Sequence, residues 1–227
     1  MIWGGIQKTS TLDFPGVLSC VLFTRGCDLD CFYCHNRLLI EGMGLVVDEK
    51  EIFEFLEKRK NLLDGVVVSG GEPTLHKGLP EFLQKVKKMG FKTKLDSNGQ
   101  NPEIVKELWQ KNLLDYVAID IKALPQDYKK ICGVNGFENT AKTVKFLDDI
   151  GADYEVRTTL YPSMTIEELE ELLKSFPVQK LWRLNYFKMP EQYKKEDFIL
   201  LEQPSITQSV VNENLPKFQK LQPNLYV

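Results

Sequence analysis

Arg25-Gly26-Cys27-Asp28-Leu29-Asp30-Cys31-Phe32-Tyr33-Cys34-His35-Asn36 follows an apolar run over residues 17–23, and the reading of that junction decides the fold. The run Val-Leu-Ser-Cys-Val-Leu-Phe is too continuously apolar for a half-exposed strand and is predicted as a buried parallel one. The cysteines therefore sit on a loop at that strand's C-terminal end. Three thiols within eight residues cannot all pair with one another as disulfides, but they can converge on one soft metal centre.

Structural zinc takes four ligands, usually from two separated pairs, and no second pair lies downstream. His35 adjoins Cys34, so its side chain is expected to point elsewhere. Cys20 and Cys132 lack paired spacing and read as packing or incidental thiols. A [4Fe–4S] cluster is normally held by four thiolates, so three would leave one iron open for chemistry. Structural zinc, or unrelated thiols, is the competing reading.

The chain has 227 residues, 43% hydrophobic and 27% charged, which suits one globular domain with a substantial core. A formal net charge of −3 and the absence of a basic tail give no reason to expect nucleic-acid binding. Met1-Ile-Trp-Gly-Gly lacks a charged n-region with a following apolar segment, and no apolar run approaches a membrane span. Five cysteines, three of them crowded, argue for reduced thiols, so a cytoplasmic protein is expected.

Outward from the loop, short apolar runs alternate with amphipathic segments. Strands are predicted over residues 17–23, 66–68, 91–95, 116–122, 154–160 and 180–187. Between them, Asp48, Pro102 and the Thr165/Glu168 pair mark helix starts, while Gly90 and Gly151 mark stops. Six β/α units are two short of a closed eight-fold barrel. The expected fold is α/β, a partial (β/α)6 TIM-like barrel of parallel strands with outer helices and its active face at the strands' C-terminal ends. The core spans about residues 16–187 of a single domain over 1–227, and 188–227 is expected as an irregular C-terminal extension. Gly70-Gly71-Glu72, Asp96-Ser97-Asn98-Gly99, Asp120 with Lys122, and Arg157 all fall at or near strand ends. Asp120 and Lys122 are two apart, hence on one face, where charge is costly unless satisfied by a partner or a ligand.

Cys27-x3-Cys31-x2-Cys34 with Tyr33 before the last cysteine resembles the signature of the radical S-adenosylmethionine family. Gln7-Lys-x-Ser10-Thr11-x-Asp13-Phe14-Pro15-Gly16 is similar to the opening of activating proteins of anaerobic ribonucleotide reductases. The resemblance implies one [4Fe–4S] cluster on the three cysteines and S-adenosylmethionine chelating the open iron. It places Tyr33, His35, Asn36, Gly70, Gly71, Glu72, Ser97, Asn98, Lys122 and Arg157 at the cofactor, and Asp96 and Asp120 at a monovalent cation. A surface ion pair competes for Arg157. The implied activity is an oxidoreductase: reductive cleavage of the cofactor to a 5′-deoxyadenosyl radical that makes a glycyl radical on a partner enzyme. That partner is expected to be anaerobic ribonucleoside-triphosphate reductase, with flavodoxin or ferredoxin as electron donor. Another glycyl-radical enzyme such as pyruvate formate-lyase, a small-molecule substrate, or an iron–sulfur electron-transfer module are the alternatives.

Overall fold

The structure, a computed structural model, describes residues 1–227. In chain order it runs β1 (Trp3–Ser10), β2 (Ser19–Thr24), α1 (Arg37–Ile40), α2 (Glu49–Arg59), β3 (Gly65–Gly70), α3 (Leu79–Lys88), β4 (Lys92–Ser97), α4 (Pro102–Gln110) and β5 (Tyr116–Asp120). It continues through α5 (Tyr128–Cys132), α6 (Phe137–Asp149), β6 (Tyr154–Leu160), α7 (Ile166–Lys174), β7 (Trp182–Tyr186), α8 (Phe198–Leu201), α9 (Gln208–Leu221) and β8 (Leu225–Tyr226). The strands follow one another in sequence order across a single open sheet edged by β1 and β8. Helices follow each of β2 to β7, the expected α/β alternation. Within these residues the chain forms two compact units, Met1–Asp28 with Leu38–Ala118, and Leu29–Arg37 with Ile119–Val227.

In the first unit, β1 is antiparallel to β2, and β2–β3 and β3–β4 are parallel in continuous register. Val66, Val67 and Val68 are fully buried, which explains why the sequence shows an unbroken apolar run rather than alternation. Phe14, Val17, Val21 and Val67 form a core cluster against which Phe23 and Tyr116 pack. Asp48 caps α2 by accepting from the Lys50 N–H at 2.8 Å, and Ile52 and Leu56 are its buried face. On β4, Lys94 is 1% exposed, an unusual place for an ammonium. It is satisfied by the Asp13 carbonyl, by Asp96 at 3.4 Å and by the Tyr116 ring at 5.4 Å.

In the second unit, β6–β7 and β7–β8 are parallel. Thr165 and Glu168 close a reciprocal capping box at the start of α7. Trp182 is fully buried and donates from Nε1 to Thr158 Oγ1 at 3.1 Å. The extension is more regular than its sequence suggests. Thr207 caps a 14-residue α9 in which Val211 and Phe218, two turns apart, are buried, and β8 pairs with β7. The expectation of an irregular 188–227 is corrected to that extent, because those two anchors outweigh the one helical bond that Pro216 cannot donate. β5 stops at Asp120, so Lys122 lies just past the strand rather than on it.

Candidate functional site

In the first unit the cysteine loop begins under backbone control. Gly71 N–H donates to Thr24 C=O at 2.9 Å and Glu72 N–H to Gly26 C=O at 2.8 Å. A Cβ at Gly71 would stand 1.9 Å from the Gly26 oxygen, and one at Gly70, where φ is 119°, 2.3 Å from the Thr24 nitrogen. The chain's own approach to the loop therefore requires both glycines.

Glu72 is wholly buried. Its Oε1 accepts from Thr74 N–H at 3.0 Å, from the Thr74 hydroxyl and from Ser97 Oγ at 2.9 Å, and its Oε2 from Asn98 N–H at 2.8 Å. Burial pushes this carboxyl up to about 7, against the opposing pull of the donors. Asn98 Nδ2 donates to Asp28 Oδ1 at 2.7 Å and lies 3.9 Å from Cys27 Sγ. Asn101 Nδ2 reaches Asp28 Oδ2 at 3.3 Å and Thr74 Oγ1 at 3.0 Å. Glu72, Ser97 and Asn98 thus spend their polar atoms on one another and on the loop. Asp28, Thr74 and Asn101 are members of this network that sequence reasoning missed. The available signals were the position of Asp28 inside the cysteine motif and of Asn101 two residues past Gly99.

In the second unit, Cys34 N–H donates to Cys31 C=O at 3.0 Å, and the Asn36 amide hydrogen-bonds the Cys34 sulfur. The hydrogen bond with Cys132, then burial, raises the Cys31 thiol well above its usual range. Tyr33 is buried with its ring stacked on Tyr161 at 5.4 Å, and its hydroxyl has no hydrogen-bond partner. Phe32 packs edge-on to both rings. The His35 and Asn36 side chains are exposed.

Asp120 Oδ1 accepts from Arg157 Nε at 2.9 Å and Oδ2 from Lys122 Nζ at 3.3 Å. Burial opposes ionisation, but the charges of Arg157 and then Lys122 outweigh it and hold Asp120 at about 2. Arg157 is thus a sheltered partner of Asp120, 15% exposed, rather than a surface ion pair. Asp96 faces Lys94, and Asp120 faces two cations. The extension reaches the cysteine loop as well. Arg37, 3% exposed, binds the Asp30 carboxylate and the Cys31 carbonyl and lies 3.8 Å from Asp197, while Lys194 also binds Asp30.

None of the five cysteines is in a disulfide. The structure gathers no three Cys, His, Asp or Glu side chains into a metal-holding group, and Cys31 meets Cys132 instead. The donor chemistry still fits an iron–sulfur cluster, since the motif supplies three soft ligands that bind as thiolates. Tyr33, with a buried hydroxyl that nothing in the protein satisfies, fits a site completed by a bound molecule. No helix is long and apolar enough to cross a membrane.

A family model described as the radical SAM superfamily matches residues 21–176. The chain is 36% identical over 201 residues to a Methanocaldococcus jannaschii protein provisionally named a glycyl-radical enzyme activating enzyme, covering 85% of this chain and 82% of that one. It is 31% identical over 199 residues to the pyruvate formate-lyase-activating enzyme of Clostridium pasteurianum, covering 80% of each. Among solved structures, Streptococcus suis SuiB bound to S-adenosylmethionine aligns with a TM-score of 0.69 at 17% identity, over 90% of this chain and 50% of SuiB. At that identity the likeness speaks for the fold.

Proposed function

The chain belongs to the radical S-adenosylmethionine superfamily, and from that premise we propose that it activates a glycyl-radical enzyme, with anaerobic ribonucleoside-triphosphate reductase as the partner. The family uses a [4Fe–4S] cluster and S-adenosylmethionine. Bound together, the two supply reductive cleavage of the sulfonium and a 5′-deoxyadenosyl radical able to take hydrogen from a glycine Cα of the partner.

The chain's own residues prepare for this. Cys27, Cys31 and Cys34 hold the cluster as thiolates. The Lys122 ammonium, ionised beside Asp120, offers a charge-assisted donor to the cofactor's carboxylate. Tyr33 and its stacked neighbour Tyr161 present aromatic surface and one open hydroxyl. Glu72 fixes the backbone of Ser97 and Asn98 rather than touching the reacting atoms. The observation that carries the reading is three cysteines outside any disulfide, at the family's spacing and inside the stretch that the family model matches. Residues 7–16, with their likeness to the reductase activators, support the choice of partner.

Anaerobically reconstituted protein, a reductant and S-adenosylmethionine, mixed separately with candidate glycyl-radical enzymes, test the proposal by paramagnetic resonance. A glycyl doublet on the reductase is the expected outcome; a doublet on pyruvate formate-lyase alone transfers the assignment to that enzyme. Cys31→Ala is expected to lose the cluster and all cofactor cleavage. Full iron content with full activity in that variant would overturn the ligand assignment.

A further inference from the structure

Cys132 reads from the sequence as an incidental buried thiol, yet the fold sets it against the middle of the cysteine loop. Two backbone bonds join the end of α5 to that loop: Asp30 N–H to Cys132 C=O at 2.8 Å and Phe32 N–H to Ile131 C=O at 3.3 Å. The helix ends there because Gly133 takes a φ of 81°, where a Cβ would also press to 3.0 Å from Asp30 Cβ. Those two bonds flank Cys31 and set the Cys132 side chain beside it, with Cys31 5% and Cys132 0% exposed.

Taking Cys31 as a cluster ligand, as above, we propose that Cys132 is a positioning residue for the cluster, its S–H donating to the Cys31 sulfur. In the metal-free chain either thiol can be the donor. A sulfur that binds iron has given up its proton and can only accept, so ligation fixes the direction of the bond. Hydrogen bonds to ligand sulfurs are one of the determinants of an iron–sulfur cluster's reduction potential. A donor to sulfur offsets the negative charge that builds up on reduction and so makes the potential less negative. Cys132 has no exposed surface, so water does not replace it as donor when it is removed. Asn98 stands 3.9 Å from Cys27 and the Asn36 amide bonds Cys34, so each motif sulfur has a polar hydrogen of the chain beside it.

The test compares parent, Cys132→Ala and Cys132→Ser proteins, reconstituted anaerobically without S-adenosylmethionine, for iron content and midpoint potential. Serine keeps an O–H donor of similar size and alanine keeps none. With equal iron in all three, the reduction equilibrium of the alanine variant is expected to fall about tenfold, ~59 mV more negative for one electron, with serine back near the parent. If alanine fails to load iron where serine loads, the donor role also stands. Equal potentials for alanine and parent at full iron overturn the proposal and leave the cluster assignment intact. Failure of alanine and serine alike to hold iron overturns it in favour of a need for sulfur itself. A parent that takes up no iron removes the ligand assignment beneath it.

Discussion

Two carboxylates at the ends of strands meet opposite fates. Glu72, just past β3, is wholly buried, and its oxygens receive hydrogen bonds from amides and hydroxyls, with burial pushing its carboxyl up to about 7. Asp120, at the end of β5, is more open, and Arg157 and Lys122 hold it at about 2. The difference lies in the partners. Neutral donors satisfy geometry but do not repay the loss of water around a charge, whereas cations do. Glu72 is therefore a structural knot, and the Asp120 group an electrostatic fixture that keeps Lys122 charged and holds it and Arg157 in place.

The largest expected effect separates the two directly. Glu72→Ala strands the Thr74 and Asn98 amides and the Ser97 hydroxyl, each buried loss costing about 1–3 kcal/mol, so unfolding in urea should fall by roughly 4 kcal/mol. A loss under ~1 kcal/mol would untie the knot as an explanation. Next comes pH. Glu72 binds its proton more tightly folded than unfolded, so its contribution to stability is complete below its ordinary pKa of 4.5 and disappears as pH rises through about 7. Between pH 5 and 8 the parent should lose on the order of 3 kcal/mol relative to Glu72→Gln, and parallel pH profiles for the two would contradict the assigned shift. The smallest effect falls on the other carboxylate's neighbour. Lys122→Met should weaken S-adenosylmethionine binding by about tenfold to a hundredfold in calorimetric titration, with stability changed by less than ~1 kcal/mol. Unchanged affinity with collapsed stability would make the Asp120 group structural too.

How far each part could be read from the sequence follows the distance between partners along the chain. Buried strands advertise themselves locally, as residues 66–68 and 116–120 do, and the Thr165–Glu168 box spans one helical turn. The short α1 and α5 have too few residues for a period to show, and Pro216 with its polar neighbours hid α9. In the site, the cysteine spacing and the Asp120–Lys122 pair were local and legible. Asp28 meets Asn98 and Asn101 some 70 and 73 residues away, and nothing in the spelling of either stretch announces the other. The glycines at 70 and 71 stand out in the sequence, but the Thr24 and Gly26 backbone that they clear belongs to a distant stretch of the chain.

Lys194 and Asp30 are 164 positions apart, and Arg37 bridges from Asp30 toward Asp197. During synthesis the cysteine loop and Arg37 emerge well before Lys194 and Asp197, which complete its bracing. The loop therefore waits, with Arg37 but without Lys194, while the residues between them are made. Its settled form needs residue 194 in place, so a ribosome stalled before that point would carry the three thiols without the second cation on Asp30.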